Sequence, residues 1–291
     1  MKILYIISQR RSGSTLIENL LGQHDEVISV GEFRMLKNHY FKKGPGYLWD
    51  WKCNCGADIE KCGFWSKYYK PDDTQNKIAE TALKYKFGLL QWIRIYFTGV
   101  KSIIMKNKEA GQKIASYTLG LYRNIEKDHP GNAIIDSSKD ALQGYFLAEE
   151  SGDVIVLYLV RQLRATVSSK YKRAINIGKP INLFKLLISS FFVEIFNQKV
   201  VKKVSPKKLL CINYEDFVAN TDYFYSRILK ELHLTENPVP EFFKPYPSHS
   251  IAGTPDRFKK RAVTYDDRWK QFYKKRPVAN IVGSFLEKRL G

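Results

Sequence analysis

Five residues near the start of the chain, Arg11-Ser12-Gly13-Ser14-Thr15, combine a guanidinium, three hydroxyls and a glycine, and Arg10 stands directly before them. An apolar run, Ile3 to Ile7, precedes them, and Leu16, Ile17, Leu20 and Leu21 follow at the spacing of one helix face. That order is strand, tight turn, helix. A turn of this kind aims backbone N–H groups and the positive end of a helix dipole at one point, so the chemistry it offers is anion binding. A second such junction lies in "VLYLVRQLRATVSSKYKRA", where an apolar strand ends at Arg161 and Ser168 and Ser169 fall in the following helix. Parallel sheets bind ligands at the carboxyl ends of their strands. There an arginine fork and a serine hydroxyl suit a second phosphate.

The phosphate loop G-x-x-x-x-G-K-[ST] uses its lysine to reach the outer phosphates of a nucleoside triphosphate. Here Ser8 stands in the first glycine position, Gly13 in the second, and Ser14 where the lysine belongs. Triphosphate chemistry therefore lacks its most diagnostic residue, and Arg11 aims a cation from the loop side instead. A P-loop kinase is the first alternative; under it Asp136, after the apolar "NAII", would be the metal-binding aspartate.

The elements that must position these residues read as α/β. Short β-branched runs occur at 2–8, 27–30, 132–136, 153–160 and 208–213, with helical patterns between most of them. Continuous apolar strands separated by helices predict a P-loop-like parallel sheet flanked by helices. The interval 66–128 carries cationic helical runs and no strand signal, and reads as a helical insertion whose aromatics and lysines suit peripheral membrane contact or a substrate mouth. The apolar stretch 181–196 contains Lys185 and Glu194 and falls short of a membrane span, which predicts a buried helix. From Glu241 to the end the chain is rich in proline, aromatic and basic residues and reads as a long functional loop.

With 48 Lys plus Arg against 29 Asp plus Glu, the net charge of +19 attracts anions at long range. Polyanions, anionic membrane surfaces and small anionic ligands all suit it, but no nucleic-acid-binding motif accompanies it and the lysines are spread along the chain, so a soluble protein with a basic surface is the expectation ahead of a nucleic-acid role. A non-catalytic anion- or nucleic-acid-binding protein is the second alternative. Four cysteines exclude a disulfide scaffold and point to a reducing compartment. No export signal is read at 3–8, so the expected location is cytoplasmic. Cys53, Cys55 and Cys62, spaced C-x-C-x6-C, can supply thiolates to zinc, but a closed site takes four nitrogen or sulfur ligands. The fourth cysteine, Cys211, lies in an apolar strand and reads as core. The reading adopts neither a disulfide nor a metal.

Together the two anion junctions resemble the sulfotransferases that use 3′-phosphoadenosine-5′-phosphosulfate (PAPS). Arg11 to Thr15 are similar to that family's 5′-phosphosulfate loop. An arginine at a strand end with a serine eight residues later is its 3′-phosphate signature, matched by Arg161 and Ser169. The resemblance spans the whole chain as one domain, 1–291, and implies sulfuryl transfer to the hydroxyl or amine of a small-molecule or glycan acceptor, without a metal. It also implies a catalytic glutamate after the second strand, which "VGEF" supplies as Glu32, and Ser138 with Lys139 as a second cation site. The late element "HSIAGTPDRF…DDRW" is similar to the Gly-Asn-Pro-x-Arg plus Asp-x-x-Trp tail of bacterial and carbohydrate sulfotransferases, with Thr254 in place of the asparagine. Gly253, Thr254 and Arg257 would then help to close on the donor. A similar Cys-x-Cys-Gly…Cys-x-Phe-Trp element occurs in bacterial sulfotransferases, and implies an ordered loop near the acceptor opening.

Overall fold

The computed structural model describes residues 1–36, 40, 52–70, 87–240, 248–252 and 263–290. Its centre is a sheet of five parallel strands, β1 (Ile3–Ser8), β2 (Val27–Gly31), β3 (Ala133–Lys139), β4 (Val154–Val160) and β5 (Leu209–Asn213), in the order β2-β3-β1-β4-β5. All six residues of β1 are buried, as a central strand covered on both faces requires. Its side chains alternate between two cores, Ile3, Tyr5 and Ile7 on one side and Leu4 and Ile6 on the other.

Helices fill both faces. In chain order they are α1 (Ser14–Leu21), α2 (Trp65–Tyr68), α3 (Leu89–Thr98), α4 (Lys101–Lys106), α5 (Lys108–Asp128), α6 (Ala141–Glu150), α7 (Leu163–Asn176), α8 (Leu183–Val201), α9 (Tyr214–Ala219), α10 (Thr221–Glu231), α11 (Arg268–Lys274) and α12 (Pro277–Leu290). Leu16, Ile17, Leu20, Tyr225 and Ile228 of α1 and α10 pack on Leu4 and Ile6. Tyr122, Ile125, Leu142, Phe146 and Phe196 of α5, α6 and α8 cover the other face. A third cluster joins α7 and α8 to α11 and α12 through Leu163, Val167, Leu187, Phe191, Trp269, Phe272 and Ala279.

Three details differ from the expectations. The tail is not a loop throughout, because α11 and α12 close over α7 and α8 by burying Trp269, Phe272, Tyr273 and Ala279. Cys211 is exposed rather than core: β5 is the edge strand, and its alternation turns Leu210 and Ile212 inward and Cys211 outward. Strand β3 runs three residues past the apolar stretch, to Lys139. Its pairing with β1 steps from Tyr5–Asp136 to Ile7–Lys139, so β3 carries one extra residue there. Such a bulge bends the strand and re-aims the side chains beside it. Among the described residues no helix is long and apolar enough to cross a membrane. Leu90, Phe97 and Met105 of α3 and α4 are nonetheless exposed.

Candidate functional site

All the sheet's carboxyl ends open on one side, and each contributes a polar group. After β1 the chain turns through Arg11 (φ 74°) and Gly13 (φ 99°), both left-handed, before α1 begins. A Cβ on Gly13 would lie 2.4 Å from the Tyr214 ring, so this turn excludes any larger residue on grounds of space as well as backbone angle. Left-handed residues in a short turn direct successive N–H groups into one concavity, the geometry of a backbone anion nest. The Ser12 hydroxyl donates to the Gln9 carbonyl at 2.8 Å, which ties the turn down from within.

The two anion junctions predicted from sequence meet. Arg11 Nε donates to Ser169 Oγ at 2.9 Å, joining the loop after β1 to helix α7 after β4. Arg161 Nη1 donates to the Arg11 carbonyl at 3.2 Å, its guanidinium lies 4.5 Å from the centroid of the Tyr214 ring, and its Nη2 donates to the Asp266 carbonyl at 3.4 Å. The Arg161 side chain is only 8% exposed, and its Nε has no partner among the described residues. Ser8 Oγ, in the first position of the loop, is likewise buried without one. Ser14 and Thr15 are buried at the start of α1, whereas Arg10 is exposed at the rim.

Below the loop lies a buried polar network. Lys170 Nζ donates to Gln9 Oε1 at 2.5 Å, Gln9 Nε2 donates to Glu194 at 2.6 Å, and the Tyr158 hydroxyl donates to the other Glu194 oxygen. Burial pushes Glu194 above the usual carboxylate range and Lys170 down to about 8. Spacing could not reveal these groups, because Gln9, Tyr158, Lys170 and Glu194 come from four elements.

Across the cleft, the ends of β2 and β3 bring Glu32 and Lys139 together. Lys139 Nζ donates to Glu32 Oε1 at 2.7 Å and to the Ser137 carbonyl at 2.9 Å, with the side chains 9% and 16% exposed. No partner for Glu32 Oε2 occurs among the described residues. The β3 bulge, with Lys139 at φ 71°, turns this lysine toward Glu32. Beneath it Asp136 accepts from the Tyr122 hydroxyl at 2.8 Å, from the Ser138 backbone N–H at 2.8 Å and from the Ser138 hydroxyl. The Ser138 hydroxyl accepts in turn from the Arg34 backbone N–H at 3.0 Å, so it braces the loop after Glu32. Gly253, Thr254 and Arg257 lie outside the described residues. The tail does reach the site through Asp266, whose carboxylate is held down at about 2, chiefly by the Arg268 side chain and further by Arg161.

The chain superposes on the "Sulfotransferase Domain from the Curacin Biosynthetic Pathway" with a TM-score of 0.54 at 15% sequence identity, over 94% of this chain and 90% of that one. The fold is that of sulfotransferase domains. A second similar structure is the "Sulfotransferase Domain from the Synechococcus PCC 7002 Olefin Synthase", with a TM-score of 0.49 at 17% identity over 92% and 86% of the two chains. No family model and no curated protein sequence matches the chain. Asp266, beside Arg161, is the first residue of the Asp-x-x-Trp element read from the sequence, whereas Tyr214, which lies against the same arginine, was missed. Tyr214 carried a readable signal, since it directly follows β5 at the same end of the sheet as Arg161.

Proposed function

We propose that this protein is a sulfotransferase that moves the sulfuryl group of PAPS onto the hydroxyl or amine of a carbohydrate, lipid-linked glycan or small metabolite. The observation that supports the reading is the convergence of Arg11, Ser169 and Arg161 at one junction, with buried Arg161 Nε and Ser8 Oγ unpartnered among the described residues. A nucleotide bearing phosphates at both the 3′ and 5′ positions fits two cationic junctions better than a triphosphate fits a loop without its lysine. When bound, the donor supplies an already activated sulfuryl group.

The chain's own residues then have separable roles. The turn from Arg10 to Thr15 offers backbone N–H groups, hydroxyls and guanidinium charge to the 5′ end, where negative charge grows as the transfer proceeds. Preorganised donors aimed at developing charge lower a barrier without reorganising. Arg161 and Ser169 hold the 3′ end. Glu32 takes the acceptor's proton through Oε2 while Lys139, on Oε1, orients the carboxylate and adds positive charge to the cleft. General-base catalysis of this kind contributes about 10²- to 10⁴-fold in rate.

Two substitutions test these roles. Glu32→Gln should lower turnover by about 10²-fold or more and leave affinity for adenosine 3′,5′-bisphosphate nearly unchanged. Unchanged turnover would remove Glu32 from the chemistry. Arg161→Ala should weaken the bisphosphate by about 1.5–3 kcal/mol, the scale of a hydrogen bond to a charged group, read by calorimetric titration. Equal affinity would show that Arg161 serves only to hold the Arg11 carbonyl.

A further inference from the structure

The three cysteines of "WKCNCGADIEKCGFW" acquire a fourth companion from a distant part of the chain. Cys53, Cys55, Cys62 and His249 bring one ligating atom each to within 4.8 Å of one another. The His249 Nδ1 lies 3.2 Å from Cys62 Sγ and 3.7 Å from Cys53 Sγ, and Cys55 Sγ lies 3.6 Å from Cys62 Sγ. Tetrahedral zinc, with bonds of about 2.3 Å to sulfur and 2.0–2.1 Å to nitrogen, sets its ligands about 3.8 Å apart for two sulfurs and about 3.6 Å for sulfur and nitrogen. The 3.6 Å between Cys55 and Cys62 and the 3.7 Å between His249 and Cys53 lie close to those values, the 3.2 Å between His249 and Cys62 is shorter, and the remaining pairs lie within 4.8 Å. These separations are far too long for any of these cysteines to be joined by an S–S bond of about 2.05 Å.

The surroundings hold the ligands in place by other means. Cys53 N–H donates to the Ala57 carbonyl and Gly56 N–H to the Cys53 carbonyl, both at 2.9 Å, which folds residues 53–57 into a tight turn that presents Cys53 and Cys55 together. The Phe64 ring stacks on His249 with 4.8 Å between centroids and 5° between planes, and Trp65 Nε1 donates to the His249 carbonyl at 2.6 Å. Asn54 Nδ2 donates to Ser248 Oγ at 2.6 Å. Cys53 and Cys62 are buried while Cys55 is exposed, so the cluster has a closed interior and an entry path.

We infer that Cys53, Cys55, Cys62 and His249 form a structural zinc site that fastens the 52–65 segment to the 248–252 segment beside the cleft. Three sulfur ligands and one imidazole favour zinc over the oxygen-seeking cations, and four protein ligands leave no open position for catalysis. The site has a consequence two residues away. Ile251 N–H donates to the Val30 carbonyl at 3.1 Å and Glu32 N–H donates to the Ile251 carbonyl at 2.7 Å. Gly31, at φ 71°, lets Ile251 approach so closely that a Cβ would sit 2.3 Å from its carbonyl oxygen. The zinc thereby anchors the strip of chain that positions Glu32.

The test is metal binding by the full chain, and needs neither donor nor acceptor, so it stands apart from the sulfuryl-transfer reading. Protein prepared under reducing conditions, stripped with a chelator and reconstituted with zinc should hold one zinc per chain after extensive washing. Cobalt(II) in its place should give the intense visible absorption of a tetrahedral thiolate site. Cys55→Ser and His249→Ala should each weaken zinc by about tenfold or more, while Cys211→Ser keeps one full equivalent. Because a variant can fail to fold, the cobalt spectrum of the unaltered chain decides by itself. Absence of retained zinc or an octahedral cobalt spectrum would each overturn the inference.

Discussion

Asp136 would bind a metal under the kinase alternative and support the turn after β3 under the sulfotransferase reading. It is fully buried and its oxygens are taken by Tyr122 and Ser138, of which Ser138 also accepts from the Arg34 backbone N–H. Burial raises its carboxyl to about 6. Unfolded, the same group titrates near 4. A carboxyl that binds its proton more tightly when folded makes stability fall as pH rises through this window, by on the order of 2–3 kcal/mol between pH 4 and 6. In Asp136→Asn the amide can keep all three contacts, its oxygen accepting from the Ser138 N–H and hydroxyl and its nitrogen donating to the Tyr122 oxygen. Urea midpoints measured from pH 4 to 7 should fall with rising pH in the parent relative to the variant. Parallel curves would show that Asp136 does not carry this dependence.

At the scale of elements, all five strands were legible as short apolar runs rich in β-branched residues, and the longer apolar stretch 181–196 stood apart by its length and its internal Lys185 and Glu194. The last three residues of β3 were not, since Ser137, Ser138 and Lys139 carry no apolar pattern and are held by a bulge and by side-chain bonds. The zinc cluster was half legible: the C-x-C-x6-C spacing is local, but His249 arrives from 187 residues away through the sheet edge at Gly31. Side-chain capping follows local rules at α6 and α8. Asn182 caps α8 by accepting from the Lys185 N–H at 3.0 Å, and lies outside the cleft. Asn182→Ala should therefore cost about 0.5–2 kcal/mol of unfolding free energy and leave bisphosphate affinity unchanged. A loss of affinity without a loss of stability would place α8 in the binding site.

For the molecule as a whole, the sheet order puts the carboxyl ends of β1 and β4 side by side, which brings Arg11 and Ser169 to 2.9 Å although 158 residues separate them. A net charge of +19 draws anions toward the chain, and among the described residues this junction and the Glu32–Lys139 pair are where we propose that the charge is used. The central claim is that the cleft is built for a nucleotide phosphorylated at both ends of its ribose. Calorimetric titration with adenosine 3′,5′-bisphosphate, beside ATP with magnesium at the same moderate salt, tests it most directly. Micromolar binding of the bisphosphate with little heat from ATP is the expected result; tighter binding of ATP, or binding of neither, would overturn it.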